Sequence, residues 1–182
     1  MKTIVINENG LLDSQLDKKS SKSRAILVDG NKILIANYGG VILLPGGSMD
    51  KGETETQAVL RELQEETGMT YGIQDLRKII LLKYYQSNYL TRDGKTTNRL
   101  IMTYYYLGKF KGIDLSNIQR TKKEKKDSFS LELLEFDELH RRLDDVSDNP
   151  RRQYFDREMR EVLNAYKEIL INENDKIEID ER

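Results

Sequence analysis

Residues 46–69 read GGSMDKGETETQAVLRELQEETGM, and the rest of the chain is best understood from this stretch outward. It opens on Gly46-Gly47 and closes on Gly68-Met69. Thr54 is followed three residues later by Gln57, a capping box that predicts a helix beginning near Glu55. Gly68 stands where a left-handed residue ends such a helix. At 3.6 residues per turn, Glu62, Glu65 and Glu66 share one face, and the small Ala58 leaves room beside them. Thr56, Val59, Leu60, Leu63 and Thr67 form the adjacent, mostly apolar face, suited to packing on a sheet.

Folding alone does not ask for three carboxylates on one face. Two unit charges about 5.5 Å apart repel by roughly 3 kcal/mol at an effective dielectric of about 20. Water and salt reduce that to a few tenths for exposed helix pairs, so an isolated E-x-x-E-E triplet is compatible with a solvated face. A hard divalent cation reverses the sign, because carboxylate oxygens are the donors Mg²⁺ and Mn²⁺ prefer. The whole spacing favours the cation. Gly47, Glu53, Arg61, Glu62, Leu63, Glu65, Glu66, Gly68 and Met69 spell G-x5-E-x7-R-E-L-x-E-E-x-G-M.

That spacing resembles the signature of the Nudix hydrolase (MutT-like) family, G-x5-E-x7-R-E-U-x-E-E-x-G-U with U aliphatic, at every defined position. The resemblance implies an α/β fold, a Nudix-type α/β/α sandwich with a mixed sheet in a single domain. Periodicity by itself supports only mixed α and β. The resemblance also implies a hydrolase that uses a divalent metal and water to cleave a pyrophosphate bond in a nucleoside diphosphate linked to another moiety. By position, Glu62, Glu65 and Glu66 would ligate Mg²⁺, with Mn²⁺ as the alternative, and a carbonyl at Gly46 or Gly47 could join them. Glu62 is the nominated base, with its sister glutamates and a loop glutamate as alternatives. Arg61 and Glu53 would pair to fix the loop against the helix.

On the substrate side the candidates are Tyr85, Glu124 and Arg24. Tyr85, with Tyr84 and Tyr89, follows the motif at the distance where relatives that cleave dinucleoside polyphosphates carry a tyrosine. Glu124, within the basic run 122–126, lies where some relatives carry an extra catalytic acid; surface solvation explains that run as well. The ADP-ribose branch usually shows a proline downstream of the motif, and the only prolines here are Pro45 and Pro150. The extra motif of the coenzyme A branch is absent too. A non-catalytic nucleotide-binding module or sensor, and an RNA 5′-end pyrophosphohydrolase, remain as alternatives. The expected partner is a nucleotide-type small molecule, with RNA and a homodimer left open.

Length and composition bound the rest. A chain of 182 residues suits one domain with a substantial core. Charged residues make up 34% yet nearly cancel, leaving a net charge of −1 and no global basic field for nucleic acid. The chain has no cysteine, which removes disulfides, thiolate nucleophiles and Cys-based zinc sites. Its one histidine, His140, sits in a polar helix-like run, away from any triad pattern. No long apolar segment or signal-peptide core is present, so no membrane partner and a cytoplasmic location are expected.

Along the chain, residues 1–23 read as an N-terminal strand or arm followed by a flexible polar link at 18–23. The domain proper is expected over 24–172, with a charged, frayed tail at 173–182. Apolar runs at 24–28 and 32–37 flank Asp29-Gly30, a hairpin signal. A short buried strand is expected at 41–44, and a long antiparallel pair at 77–86 and 99–110. In Tyr104-Tyr105-Tyr106 the rings must alternate between faces, so at least one belongs in a core. A strand is expected at 130–136, with Asp137 capping a helix from Glu138. Asp148-Asn149-Pro150 starts a last helix, amphipathic from Tyr154 to Leu170.

Overall fold

Asp29-Gly30 does turn the chain: in the computed structural model, which describes residues 1–91, 93–119, 129–144 and 150–180, Gly30 takes φ +59°. The described strands are β1 (Lys2–Ile6), β2 (Lys18–Asp29), β3 (Lys32–Tyr38), β4 (Val41–Leu43), β5 (Gly46–Ser48), β6 (Leu76–Leu90), β7 (Thr96–Lys109) and β8 (Phe129–Glu135). The helices are α1 (Glu55–Thr67), α2 (Phe136–Asp144) and α3 (Pro150–Asp180). All the strands join one 8-stranded sheet in which β1-β6-β7-β2-β3-β4 are neighbours, β5 adds to β2 and β8 to β3. The sheet is mixed: β1/β6 and β2/β7 run parallel, and the other pairs are antiparallel.

Both faces of the sheet are covered, which explains why 25–28 reads AILV without alternation. Ala25 and Leu27 face α1 and pack with Leu34, Val59, Leu63 and Tyr106. Ile26 faces the other way and packs with Leu82, Tyr105, Val162 and Leu163 under α3. Tyr105 and Tyr106 thus enter opposite cores, as the alternation of a strand requires. The architecture is the expected α/β/α sandwich around a mixed sheet. Among the described residues, no helix is long and apolar enough to cross a membrane.

One departure from regularity creates the site. β2 and β3 pair only at Val28↔Ile33 and Asp29↔Lys32 and then separate. Beyond that point β4 pairs with the end of β3, at Ala36↔Leu43, and β5 pairs with β2, at Arg24↔Gly46. The segment carrying Pro45-Gly46-Gly47 therefore bridges a fork in the sheet.

Three local expectations are corrected. The polar stretch 18–23 is no flexible link but the first half of β2, paired with β7 from Lys18↔Arg99 onward. Its backbone bonds are supplied by a neighbour distant in sequence, so the residues need not be apolar to hold the strand. Asp137 does not cap α2; it lies in the first turn, and Phe136 N–H donates to Asn31 O at the helix start. Finally, α3 continues to Asp180 past the predicted fraying point, over a sequence with neither glycine nor proline to stop it. Asp148, Asn149, Glu124 and the basic run at 122–126 lie outside the described residues.

Leu163 is wholly buried between α3 and the sheet, whereas Leu170 on the same helix is 38% exposed. Leu163→Ala is expected to lower unfolding free energy in urea by about 2–5 kcal/mol, and Leu170→Ala by about 0.5 kcal/mol or less. Equal effects would contradict the packing of α3 described above.

Candidate active site

Local signals place α1 where the sequence predicts. Thr54 caps it, accepting from Gln57 N–H at 3.2 Å while Gln57 Oε1 accepts from Thr54 N–H at 2.9 Å. Gly68 ends it at φ +73°. The loop beyond β7 satisfies carbonyls near the helix end: Asp114 N–H donates to Thr67 O at 2.8 Å and Gln119 N–H to Glu65 O at 2.9 Å. Val59 and Leu63 seat the helix on the sheet, and the acid face turns toward β5.

Glu66 is the most deeply placed of the three acids, only 1% exposed. Its Oε2 accepts from Gly46 N–H at 2.9 Å and its Oε1 from the Tyr38 hydroxyl. Burial pushes its pKa up to about 8; the Glu62 charge adds to the rise, and the two donors and Arg24 oppose it. Glu62 is also buried and also raised, chiefly by burial, with Arg61 pulling it down. Glu65 is more open, with a side chain 27% exposed.

Arg61 organises the exposed side of the cluster. Its Nε and NH2 grip Glu53 in a two-pronged contact at 2.8 and 3.0 Å. Its NH1 reaches Glu62 Oε1 at 3.0 Å and Glu65 Oε2 at 3.2 Å, and its NH2 also donates to Ser48 O at 3.1 Å. One guanidinium thus ties the loop, the helix and two of the acids together. The pairing lowers the Glu53 pKa and raises that of Arg61.

The double glycine is required by space. Gly46 has φ +127°, and a Cβ there would stand 2.3 Å from Ser23 O. A Cβ on Gly47 would stand 2.3 Å from Glu62 Oε1. Beneath the loop lies Arg24, buried in the fork, with NH1 donating to Leu44 O at 2.6 Å and to Gly46 O at 3.0 Å. Its place is under the loop as a support, not on an open surface. Tyr85 stands apart from the acids, its hydroxyl donating to Asp13 Oδ1 at 3.0 Å.

The acids do not converge on a single point. Among the described residues, no group of three or more His, Cys, Asp or Glu forms a ready-made cation site. Arg61 NH1 stands between Glu62 and Glu65, and Glu66 is turned inward to Tyr38 and Gly46. The donor chemistry nevertheless suits a hard divalent cation: oxygen ligands only, two of them carboxylates held at a desolvation cost that a cation would offset. Tyr38 was not indicated by the sequence. Its only signal is its position at the end of β3 beside Gly39-Gly40, a common setting for a tyrosine.

A family model described as the NUDIX domain matches residues 20–157. An ADP-ribose pyrophosphatase of Methanocaldococcus jannaschii is 40% identical over 62 residues, covering 29% of this chain. The chain thus spans 37% of the length of that curated relative. Among solved structures, a mutator MutT protein from Bacillus halodurans aligns at TM-score 0.49 and 22% identity, over 67% of this chain and 72% of that one. A NUDIX hydrolase from Nitrosomonas europaea aligns at TM-score 0.49 and 19% identity, over 75% and 85%.

The two loop glycines should respond differently to substitution. At Gly46 an added Cβ meets backbone and the φ value is hostile; at Gly47 it meets the far end of a flexible side chain. Gly46→Ala is expected to cost about 1–3 kcal/mol more unfolding free energy than Gly47→Ala in urea titrations. The reverse order would refute this placement of the loop.

Proposed function

The chain belongs to the NUDIX family, and on that premise we propose that it is a hydrolase that cleaves the pyrophosphate bond of a nucleoside diphosphate linked to another moiety, at a divalent cation held by Glu62, Glu65 and Glu66. The observation that carries this reading is the intact acid motif mounted against a double-glycine loop, with Glu62 packed on Gly47 and Glu66 bonded to Gly46. NUDIX hydrolases generally use divalent metal ions; Mg²⁺ is the first choice here and Mn²⁺ the second.

When bound, such a cation would supply Lewis acidity toward the diphosphate oxygens. The chain's own residues do the rest. Glu66, with both oxygens engaged by Tyr38 and Gly46, is the fixed member of the set. Glu62 Oε1 is shared with Arg61, while no described hydrogen bond uses Oε2. Glu62 is therefore assigned as the group that takes a proton from the attacking water as its oxygen bonds to phosphorus. The bond from phosphorus to the bridging oxygen breaks, and that oxygen leaves with the departing phosphate. Arg61 and Glu53 act as positioning residues: they hold the loop at the distance from α1 that lets both acids reach it.

The local likeness to an ADP-ribose pyrophosphatase favours a nucleoside diphosphate sugar, ADP-ribose included, within the substrate class. The missing downstream proline argues the other way, so the panel must be broad.

The test is a hydrolysis screen over ADP-ribose, nucleotide sugars, nucleoside triphosphates, dinucleoside polyphosphates and capped RNA, with Mg²⁺ or Mn²⁺. Release of a nucleoside monophosphate from at least one small nucleotide is expected, abolished by EDTA and restored by excess metal. Glu65→Gln is expected to lower kcat by about 10²–10⁴-fold with an unchanged melting temperature. Full activity in that variant would remove the site assignment, and turnover of capped RNA alone would favour the 5′-end reading.

A further inference from the structure

Lys22 is a cation for which the site above has no use. It lies on β2 opposite Ser48 of β5, next to the pair Ser23↔Gly47. Strand alternation puts Ser23 and Gly47 on the α1 side, where Glu62 approaches, and turns Lys22 to the α3 side. There its Nζ lies over the Phe155 ring, 5.6 Å from the centroid.

The surroundings of Lys22 are costly for a cation. The residue is half-buried, and burial is the largest influence lowering the pKa of its amine. Arg24 and Arg99 lower it further, and Glu158 and Tyr89 raise it. Yet Glu158, itself 4% exposed, is bonded to the Tyr105 hydroxyl at 2.5 Å and makes no salt bridge with Lys22. Among the described residues, the ammonium has neither a hydrogen bond nor a salt bridge, and its contact is with the Phe155 ring. Arg24 contributes an unsatisfied donor, since its buried Nε has no hydrogen-bond partner. Arg99 lies on the Tyr89 ring at 3.2 Å and donates to Gln86 at 2.6 Å. Lys22, with no salt bridge among the described residues, and Arg24, with its Nε unpartnered, therefore leave positive charge in this region that an incoming anion would relieve.

We propose that Lys22 anchors an oxyanion subsite on the α3 side of β5, which takes a phosphoryl group of the substrate other than the one held beside Glu62 and Glu65. The inference rests on the pyrophosphate reading above and adds to it. Ser48, opposite Lys22 at the end of β5, is exposed, so a chain of linked phosphates can pass around that end from the acids on one side to Lys22 on the other. A lysine suits this role as a point charge on a flexible stem that donates to whichever oxygen arrives.

The test uses the full chain with Lys22→Met, which keeps the stem and its packing on Phe155, and Lys22→Arg, which keeps the charge. The probe is inorganic tripolyphosphate, titrated calorimetrically without metal at low and high salt. Wild type is expected to bind in a salt-sensitive manner, K22M about tenfold or more weakly, and K22R within about threefold of wild type. On whichever substrate the screen identifies, K22M should raise KM about tenfold while kcat stays within about threefold. If wild type binds no tripolyphosphate, or if K22M matches it in affinity and KM, the subsite is overturned while the hydrolase reading stands. A K22M variant that only melts earlier, with affinity and KM intact, also overturns it and leaves Lys22 as packing for Phe155. If wild type hydrolyses nothing yet loses tripolyphosphate affinity with K22M, the pyrophosphate reading fails and the subsite survives.

Discussion

A buried guanidinium at the mouth of a fork holds this protein's working end in shape. β2 and β3 part company two residues beyond their turn, and the gap is bridged by the segment from β4 to β5. Arg24 fills the space beneath and binds the carbonyls of Leu44 and Gly46, while Ala25 N–H donates to Pro45 O at 2.9 Å. Carbonyls in a buried turn need donors, and no regular sheet neighbour could supply them there. Without that support two buried carbonyls would lose their donors, and the Gly46-Gly47 backbone would be held only by its pairing with β2 and its bond to Glu66.

The charges above the loop are balanced unevenly. Glu53 and Arg61 form a tight, two-pronged pair that also reaches Glu62 and Glu65. Glu66 has only neutral donors in contact, Tyr38 and the Gly46 N–H, and burial raises its pKa against their pull. The outer acids are therefore compensated by protein and the inner one is not. A site arranged this way is ready for a further positive charge. The lysine on the opposite side of β5 carries the complementary imbalance, a cation with no salt bridge among the described residues. The two half-satisfied regions lie on opposite sides of one short strand, β5.

The elements read correctly in advance share one property: their signal is local. Thr54 and Gln57 bond to each other, Gly68 needs only its own φ, and Arg61 lies two helical turns from Glu53. The hairpin at Gly30 is likewise a matter of one turn. The misread elements depend on distant partners. Residues 18–23 look like a linker because what makes them a strand is β7, some eighty positions away. Tyr38 carries no signal because its partner, Glu66, comes from another element. Arg24 lies beneath the loop, bonded to the carbonyls of Leu44 and Gly46, and no pattern along the chain says whether an arginine before an apolar run lies under a loop or over it.

The amino-acid sequence alone determined the family, the mixed α/β class and which acids share a helical face, because short-range spacing and capping chemistry encode these. Tertiary structure alone decided which acid is buried, which cation lies over a ring and where the loop is held. Those properties arise from burial and from contacts between strands far apart in the chain, and neither is written in the order of neighbouring residues.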